Sequence, residues 1–461
     1  MAQQLYFSRD SKMFLEIDDD VWKIPVLEGF SFSQATNTSE ITLNEMESTA
    51  GVSRRGRRAF NDSLAPVDFS FSTYIRPFKS AGTGTGKADS TGNHHAVEEV
   101  LWALFSGGAA YSGYDFGTQT TPTTTHMDIS FSGSNVSELG SGVTANIYFE
   151  LGDASKLCYK LAKIVLNEAS IDFDIDGVAT IAWSGFADRI TEFSDEVTLA
   201  AAINGTAATF AASSLTATDH NAGGTGGSIN RRIAGTAASG MKADNYLSAV
   251  ANATTATLAI TDSVDNATVL TLLGPNPTVY EGWNATNNFI RNRLTKCFIT
   301  VNDDPAGALE DDYTLTLTGG NITLSNNITY LTPEELGIVN VPIGHVTGTR
   351  NFGGSMTCYL TENTATVKAS KDFFKDLSSE AQRTQVSNDM TITFLIGGGT
   401  AVDSGITAPG LQVKMANCHV DIPTHSVEDI ITLETTFMAL PSTIEEADEV
   451  ALRYVGQTIT T

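Results

Sequence analysis

The chain has 461 residues, 41% of them hydrophobic, and sets 27 Lys and Arg against 53 Asp and Glu for a formal net charge of −26. Such a composition is globular, with room for two or three domains that each bury a core. The acidic excess argues against non-specific adhesion to nucleic acid or anionic membrane, and would suit a passage through which a polyanion slides without sticking.

Residues 1–17, MAQQLYFSRDSKMFLEI, lack the basic and apolar regions of a signal peptide. No apolar run reaches the roughly 18 residues that a membrane-spanning helix needs. Residues 1–29 read as a lead-in with short strand candidates at 14–17 and 21–27. GFSFSQ (29–34) and DFSFSTYI (68–75) then alternate apolar and polar residues, the period-two pattern of half-buried strands. Between them SRRGRRAF (53–60) places Arg54, Arg55, Arg57 and Arg58 in five positions. No aromatic residues interleave with these arginines as a nucleic-acid platform would require. A loop lying on the acidic face of a neighbouring copy is the sharper reading.

SAGTGTGKADSTGNHH (80–95) imitates a phosphate-binding loop, but Ala81 stands where its first glycine belongs and Ala88 where Ser or Thr belongs. His94 and His95 are adjacent and would point apart, without a metal-ligand set. AVEEVLWALFSGG (96–108) predicts a short helix near 96–106, and ANIYFEL (145–151) is a further apolar block. DFDIDG (172–177) opens like a calcium loop, yet its twelfth position is Trp183. The alternation makes it a hairpin instead, with Asp172 and Asp174 on one face, a turn at Asp176-Gly177, and VATIAW returning. Cys158, Cys297, Cys358 and Cys418 are dispersed and read as reduced core thiols.

From 198 to 277 the chain turns rich in Ala, Thr, Asn and Gly, with strand-like pieces TATLAI (255–260) and ATVLTLL (267–273). This predicts a small exposed β module or loose decoration. A core pattern resumes at FIRNRLTKCFITV (289–301), and the earlier blocks then return in their original order. GGNITLSNN (319–327) answers the first strand, pairing Ile322 and Leu324 with Phe30 and Phe32. SMTCYL (355–360) answers SFSTYI, pairing Met356 with Phe71. KDFFKDLSSEAQ (371–382) answers the helix and MTITFLI (390–396) answers ANIYFEL. MANCHVDIPTHSVEDI (415–430) answers 166–181, pairing Asp421 with Asp172. Five blocks in one order predict a duplicated structural unit.

SEITLNE (39–45), RRAFNDSL followed by DFSFSTYIRPF, and GGNITLSNNITYLTP followed by VPIGHVTG resemble a bacteriophage major tail tube protein. The nearest type is the siphovirus subunit with a duplicated tube domain. The resemblance covers roughly 20–195 and 285–445, and 198–277 has no counterpart in it. It implies a mainly β fold with two tandem tail-tube β-sandwich or barrel domains, each with a short flanking helix. The expected division is 1–195, an inserted β-rich or loosely ordered module at 198–277, then 285–445 and a carboxyl-terminal tail at 446–461. Some relatives add an immunoglobulin-like module at the carboxyl end, for which the residues after 445 leave no room.

The implied function is a virion structural subunit, assembled in the bacterial host cytoplasm, that forms trimeric rings stacked into the hollow tail. The implied partners are other copies of itself and the tape-measure, tail-terminator and tail-tip proteins. Genomic double-stranded DNA would pass through the lumen without specific binding, and no membrane or cofactor is involved. Asp172, Asp174 and Asp421 are candidates for the lumen wall, where acidic groups repel phosphates. The four arginines are candidates for the contact between copies. A receptor- or glycan-binding fibre is the alternative. No nucleophile, base and orienting partner stand in a recognisable enzymatic arrangement.

Overall fold

The computed structural model describes residues 6–17, 20–41, 58–83, 89–107, 111–131, 145–152, 156–211, 215–216, 227–235, 239–242, 245–279, 289–301, 312–334, 336, 340–362, 368–380, 390–397, 409–444 and 446–459. The first stretch runs β1 (Lys12–Ile17), β2 (Asp20–Ile24), β3 (Ser31–Ile41), β4 (Arg58–Tyr74), β5 (Pro77–Lys79), β6 (His94–Ala96) and helix α1 (Glu99–Phe105). It continues through β7 (Thr120–Pro122), β8 (Met127–Ser130), β9 (Ala145–Leu151), β10 (Leu157–Ala162), β11 (Val165–Asp174), β12 (Thr180–Ala187) and β13 (Arg189–Glu192). A middle stretch holds β14 (Asp195–Thr198), β15 (Ile203–Thr209), β16 (Arg231–Gly235), β17 (Leu247–Asn252), β18 (Thr255–Val264) and β19 (Val269–Pro275). The last begins with β20 (Lys296–Val301), β21 (Asp312–Leu315), β22 (Leu317–Ser325), β23 (Thr329–Leu331), β24 (Gly344–Val346), β25 (Asn351–Tyr359) and helix α2 (Ser370–Glu380). It ends with β26 (Met390–Ile396), β27 (Gly410–Val420), β28 (Thr424–Val427), β29 (Ile431–Ala439), β30 (Ala451–Val455) and β31 (Gln457–Thr458).

Strand neighbours repeat. In the large sheet the order β3-β4-β12-β11 is followed directly by β22-β25-β29, with β28 on the far edge of β29. A second layer repeats too: β2-β1-β9-β10 in the first stretch, β21-β20-β26-β27 in the last. The layers differ in one link. β10 and β11 are separate strands, with Lys163 at φ 52° between them, and so lie in different sheets. β27 runs through without a break, and its Cys418 faces both Met390 of β26 and Ala439 of β29.

The expected lead-in is therefore the middle of a sheet. β1 lies between β2 and β9, and its apolar run is continuous because both faces are buried. Met13, Leu15, Ile147 and Phe149 join the main core, whereas Phe14 and Tyr148 join a smaller cluster on the opposite side. The match of Phe32 to Leu324 is also two residues out. Phe32 stands opposite Phe69 and Ile322 opposite Gly354, so if Phe71 answers to Met356, Phe32 answers to Ile322. A slip of two leaves every side chain on its own face, so alternation cannot detect it.

Between the layers of the first unit lies α1, almost wholly buried. Its Trp102 packs edge-on against Trp183 at 4.8 Å, with Phe105, Phe131 and Phe352 completing an aromatic cluster. Such pairs each add about 0.5–1.5 kcal/mol beyond their area burial. Beside the helix, His95 lies between Glu99 (2.8 Å) and Asp89 (3.3 Å) and stacks on Phe78. Burial opposes the imidazolium, but the two carboxylates outweigh it and hold the His95 pKa up at about 10. Burial likewise works against the Asp89 carboxylate, while His95, Thr91 and the Asn93 amide keep its pKa well below the usual range. Burial pushes the neighbouring Glu98 up to about 7.

The stretch expected as a tail is a strap between the two halves. β30 pairs with β27 on one side and β8 on the other, and β31 runs parallel to β5. The Trp102 indole N–H donates to the Tyr454 hydroxyl at 2.7 Å, and Arg453 grips Asp128 with two hydrogen bonds of 2.6 and 2.9 Å.

Of the two expectations for the middle stretch, it is the β module and not loose decoration. Sheets β14-β19-β16 and β15-β18-β17 enclose a core of their own that includes Leu199, Ile203, Phe210, Ile233, Leu247, Leu258 and Leu272. This module docks on the outer face of the β1–β9–β10 sheet. Leu273 packs with Phe14, Tyr148 and Cys158, and Arg232 reaches Glu150 at 2.6 Å with both side chains buried. Its entry and exit strands are hydrogen-bonded neighbours, with Asp195 opposite Leu272.

Candidate assembly edges and an acidic sheet face

The eight-strand run from β3 to β28 buries one face against the core and exposes the other. Residues directly opposite in a sheet share a face. Asp172 is opposite Asn321, Asn321 opposite Ser355, and Ser355 opposite Thr436. The Thr436 hydroxyl donates to the Asp421 carboxylate, so this row carries Asp172 of the first unit to Asp421 of the second. Asp174 lies two residues along β11 on the same exposed face, with Ile171 and Phe173 buried behind it. A parallel row runs Ser31, Ser70, Ser184, Glu168, Ser325 and Asn351. All three acidic candidates thus share one surface.

Sequence reading missed other carboxylates of these strands, including Asp68 opposite Ser33 and Glu434 opposite Thr357. The signal was present as composition. The eight strands contain one lysine or arginine, Arg58, against seven carboxylates: Glu40, Asp62, Asp68, Glu168, Asp172, Asp174 and Glu434. Short hydroxyl and amide side chains fill most remaining outward positions, leaving a polar face whose few charges are acidic.

Both ends of the run are open. Among the described residues β3 pairs only with β4, and β28 only with β29. The inner counterparts of those edges, β22 and β11, pair with each other from Glu168–Ser325 to Asp174–Gly319. β28 is exposed along its length, and Ile422, Val427, Ile430 and Ile431 around it are 52, 74, 61 and 36% exposed. An apolar, unpaired edge of this kind is a template for another strand.

The β3–β4 hairpin outruns the sheet. β12 covers β4 only from Val67 to Tyr74, so 36–41 and 58–64 form a two-stranded arm. Asn340 braces its base, accepting from the Leu64 N–H at 2.8 Å and donating to the Asp62 carbonyl at 3.2 Å. Arg58 opens β4 opposite Ile41, whereas Arg54, Arg55 and Arg57 lie outside the described residues. His94 accepts a hydrogen bond from the Gly456 amide, and His95 sits in its carboxylate pair, two separate environments. Among the described residues no group of three or more His, Cys, Asp or Glu could hold a metal ion, and no helix is long and apolar enough to cross a membrane.

Two edges left unpaired among the described residues, with an acidic face between them, are features suited to edge-to-edge assembly of a structural β protein. The chain is similar to tail tube protein pb6 of Escherichia phage T5, at 26% identity over 428 residues, which are 93% of this chain and 69% of the relative. No protein-family model matches. This likeness supports a phage major tail tube protein and does not favour the fibre alternative.

Proposed function

We propose that the protein is the repeating subunit of a phage tail tube, in which β28 of one copy pairs with β3 of the next as β11 pairs with β22 inside the chain. The observation that carries this reading is that internal joint, whose counterparts are left open at both ends of the sheet. A head-to-tail contact that closes on rotation gives rings, and rings stack into a tube. Three copies would supply six units, the pseudo-sixfold ring that the tail-tube resemblance implies, with 1–195 and 285–445 as the two tube domains.

In this arrangement the acidic face lines the lumen and repels a passing DNA duplex, with Asp172, Asp174 and Asp421 on the wall. The module at 198–277 projects outward, because it docks on the layer farthest from that wall. The arm and the arginine loop at its tip reach the neighbouring ring. Tape-measure, terminator and tip proteins are the expected tail partners, within a virion assembled in the host cytoplasm. Negative-stain imaging of the purified protein tests the reading: hollow tubes or rings are expected, and a monodisperse monomer at high concentration would overturn it.

A further inference from the structure

The internal joint has a second component besides the strand ladder. Just before β20 the chain makes a single 3-10 turn, Asn292–Leu294, and lies across the tip of the β11–β12 hairpin. The Ala179 N–H donates to the Ile290 carbonyl at 2.8 Å, Arg291 bridges Val178, and the Asn292 N–H donates to the Gly177 carbonyl at 3.3 Å. This clamp fastens the second unit onto the first beside the β11–β22 ladder.

Both halves of the clamp exist a second time. Leu15 stands opposite Ile147 and Ile299 opposite Ile392, so with β9 matched to β26, Lys12 answers to Lys296. The 3-10 turn Ser8–Asp10 precedes β1 by the same one-residue gap, and Phe7 and Arg291 ahead of the two turns are both extended. Phe7 therefore answers to Arg291 and Tyr6 to Ile290. On the other side, Tyr74 pairs with Thr180 and Tyr359 with Thr432. The Ile75 N–H donates to the Ala179 carbonyl at 3.0 Å, and the Leu360 N–H to the Ile431 carbonyl at 3.0 Å. Ile431 therefore answers to Ala179 and Ile430 to Val178, which shifts by three residues the sequence match of 415–430 to 166–181.

We propose, resting on the edge-to-edge reading above, that the segment ahead of β1 clamps the β28–β29 hairpin tip of the neighbouring copy, laying Tyr6 and Phe7 along Ile430 and Ile431. Within one chain these groups are apolar and exposed: Tyr6 49%, Phe7 53%, Ile430 61% and Ile431 36%. The occupant is a second copy of this chain, because only another first unit presents a β1-leading turn at the correct place beside β28. Each contact in trans then repeats one that the chain makes in cis, and every joint around the ring carries both a ladder and a clamp.

The test is a double-cysteine variant, Phe7→Cys with Ile430→Cys, in a chain whose native thiols are all buried. Under mild oxidation we expect a reducible ladder of cross-linked oligomers, ending at the ring number, from samples that also show tubes by microscopy. Tubes on the grid with only monomer on the non-reducing gel would overturn the clamp while leaving the tube reading intact. If the double variant does not assemble, Tyr6→Ala/Phe7→Ala decides. Loss of rings from a folded protein supports the clamp, and rings in wild-type yield overturn it. Absence of tubes or rings from the wild type would instead count against the tube reading.

Discussion

At the scale of single residues, His95 carries a pH dependence that spans neutrality. Its folded pKa of about 10 lies above the ordinary value of 6.5. The stabilisation is therefore complete below about pH 6.5 and is lost as pH rises towards 10. Glu98, raised from 4.5 to about 7, loses its contribution earlier, between those two values. Asp89 acts in the opposite sense, its contribution disappearing only as pH falls below the ordinary carboxylate range. Thermal melts should thus fall in two stages from pH 4.5 to 10, and His95→Leu should abolish the upper stage. The same variant leaves Asp89 and Glu99 buried without their cation, a loss of about 3–5 kcal/mol. A His95→Leu protein whose melting temperature still declines between pH 7 and 10 as in wild type would show that other groups set the slope.

At the scale of elements, the inserted module can be separated from assembly, but not by simple excision. Glu150 is 1% exposed and pairs with Arg232 of the module and with Lys156 at 3.4 Å. Joining residue 194 to residue 276 should destabilise the protein by uncovering Phe14, Tyr148 and Cys158. Adding Glu150→Gln should recover only a small part of the loss, because the bared carboxylate is hydrated and keeps Lys156. Both deletions, where folded, should still form tubes on the grid. Failure of a folded Glu150→Gln deletion to assemble would place the module in the ring contact. The arginine loop is tested by changing Arg54, Arg55, Arg57 and Arg58 together to Glu. Exposed ion pairs are worth about 0–1 kcal/mol each, so single changes should be tolerated. The quadruple variant should give shorter tubes at unchanged circular dichroism, and tubes of normal length would make the loop mere solvated surface.

Elements differed in how legible they were. β11 was plain because its acids and apolar residues strictly alternate on a one-sided strand. β1 was obscured by its burial on both faces, which removes alternation and leaves a short apolar run. The module was only partly legible because its core residues, such as Leu199, Phe210 and Leu247, are single large side chains set far apart among Ala and Thr. α1 was expected over 96–106 and spans Glu99–Phe105, whereas the His95 carboxylate pair depends on Asp89 folding back, a tertiary contact that no local pattern announces.

At the scale of the whole molecule, the acidic wall makes a charge-reversal prediction. Asp172→Lys, Asp174→Lys and Glu168→Lys change exposed or half-exposed side chains, so tubes should still form. Reversed together, they should turn a repelling wall into an adhesive one. Tubes carrying them should retain short duplex DNA in sedimentation at low salt and release it steeply as salt rises. Equal retention by wild-type and reversed tubes would remove these residues from the lumen.

In the proposed ring, holding the two units joined at the β11–β22 ladder in one covalent chain also changes the response to dilution. Of all the joints between units, every second one lies within a chain, where its two edges meet at the effective concentration of a tethered pair. Only the alternate joints depend on how many molecules are present. A ring of a given number of units therefore needs half as many encounters, and its formation rises with a correspondingly lower power of subunit concentration. Severing the chain between the two units should leave the lattice unchanged and raise the concentration at which it first appears.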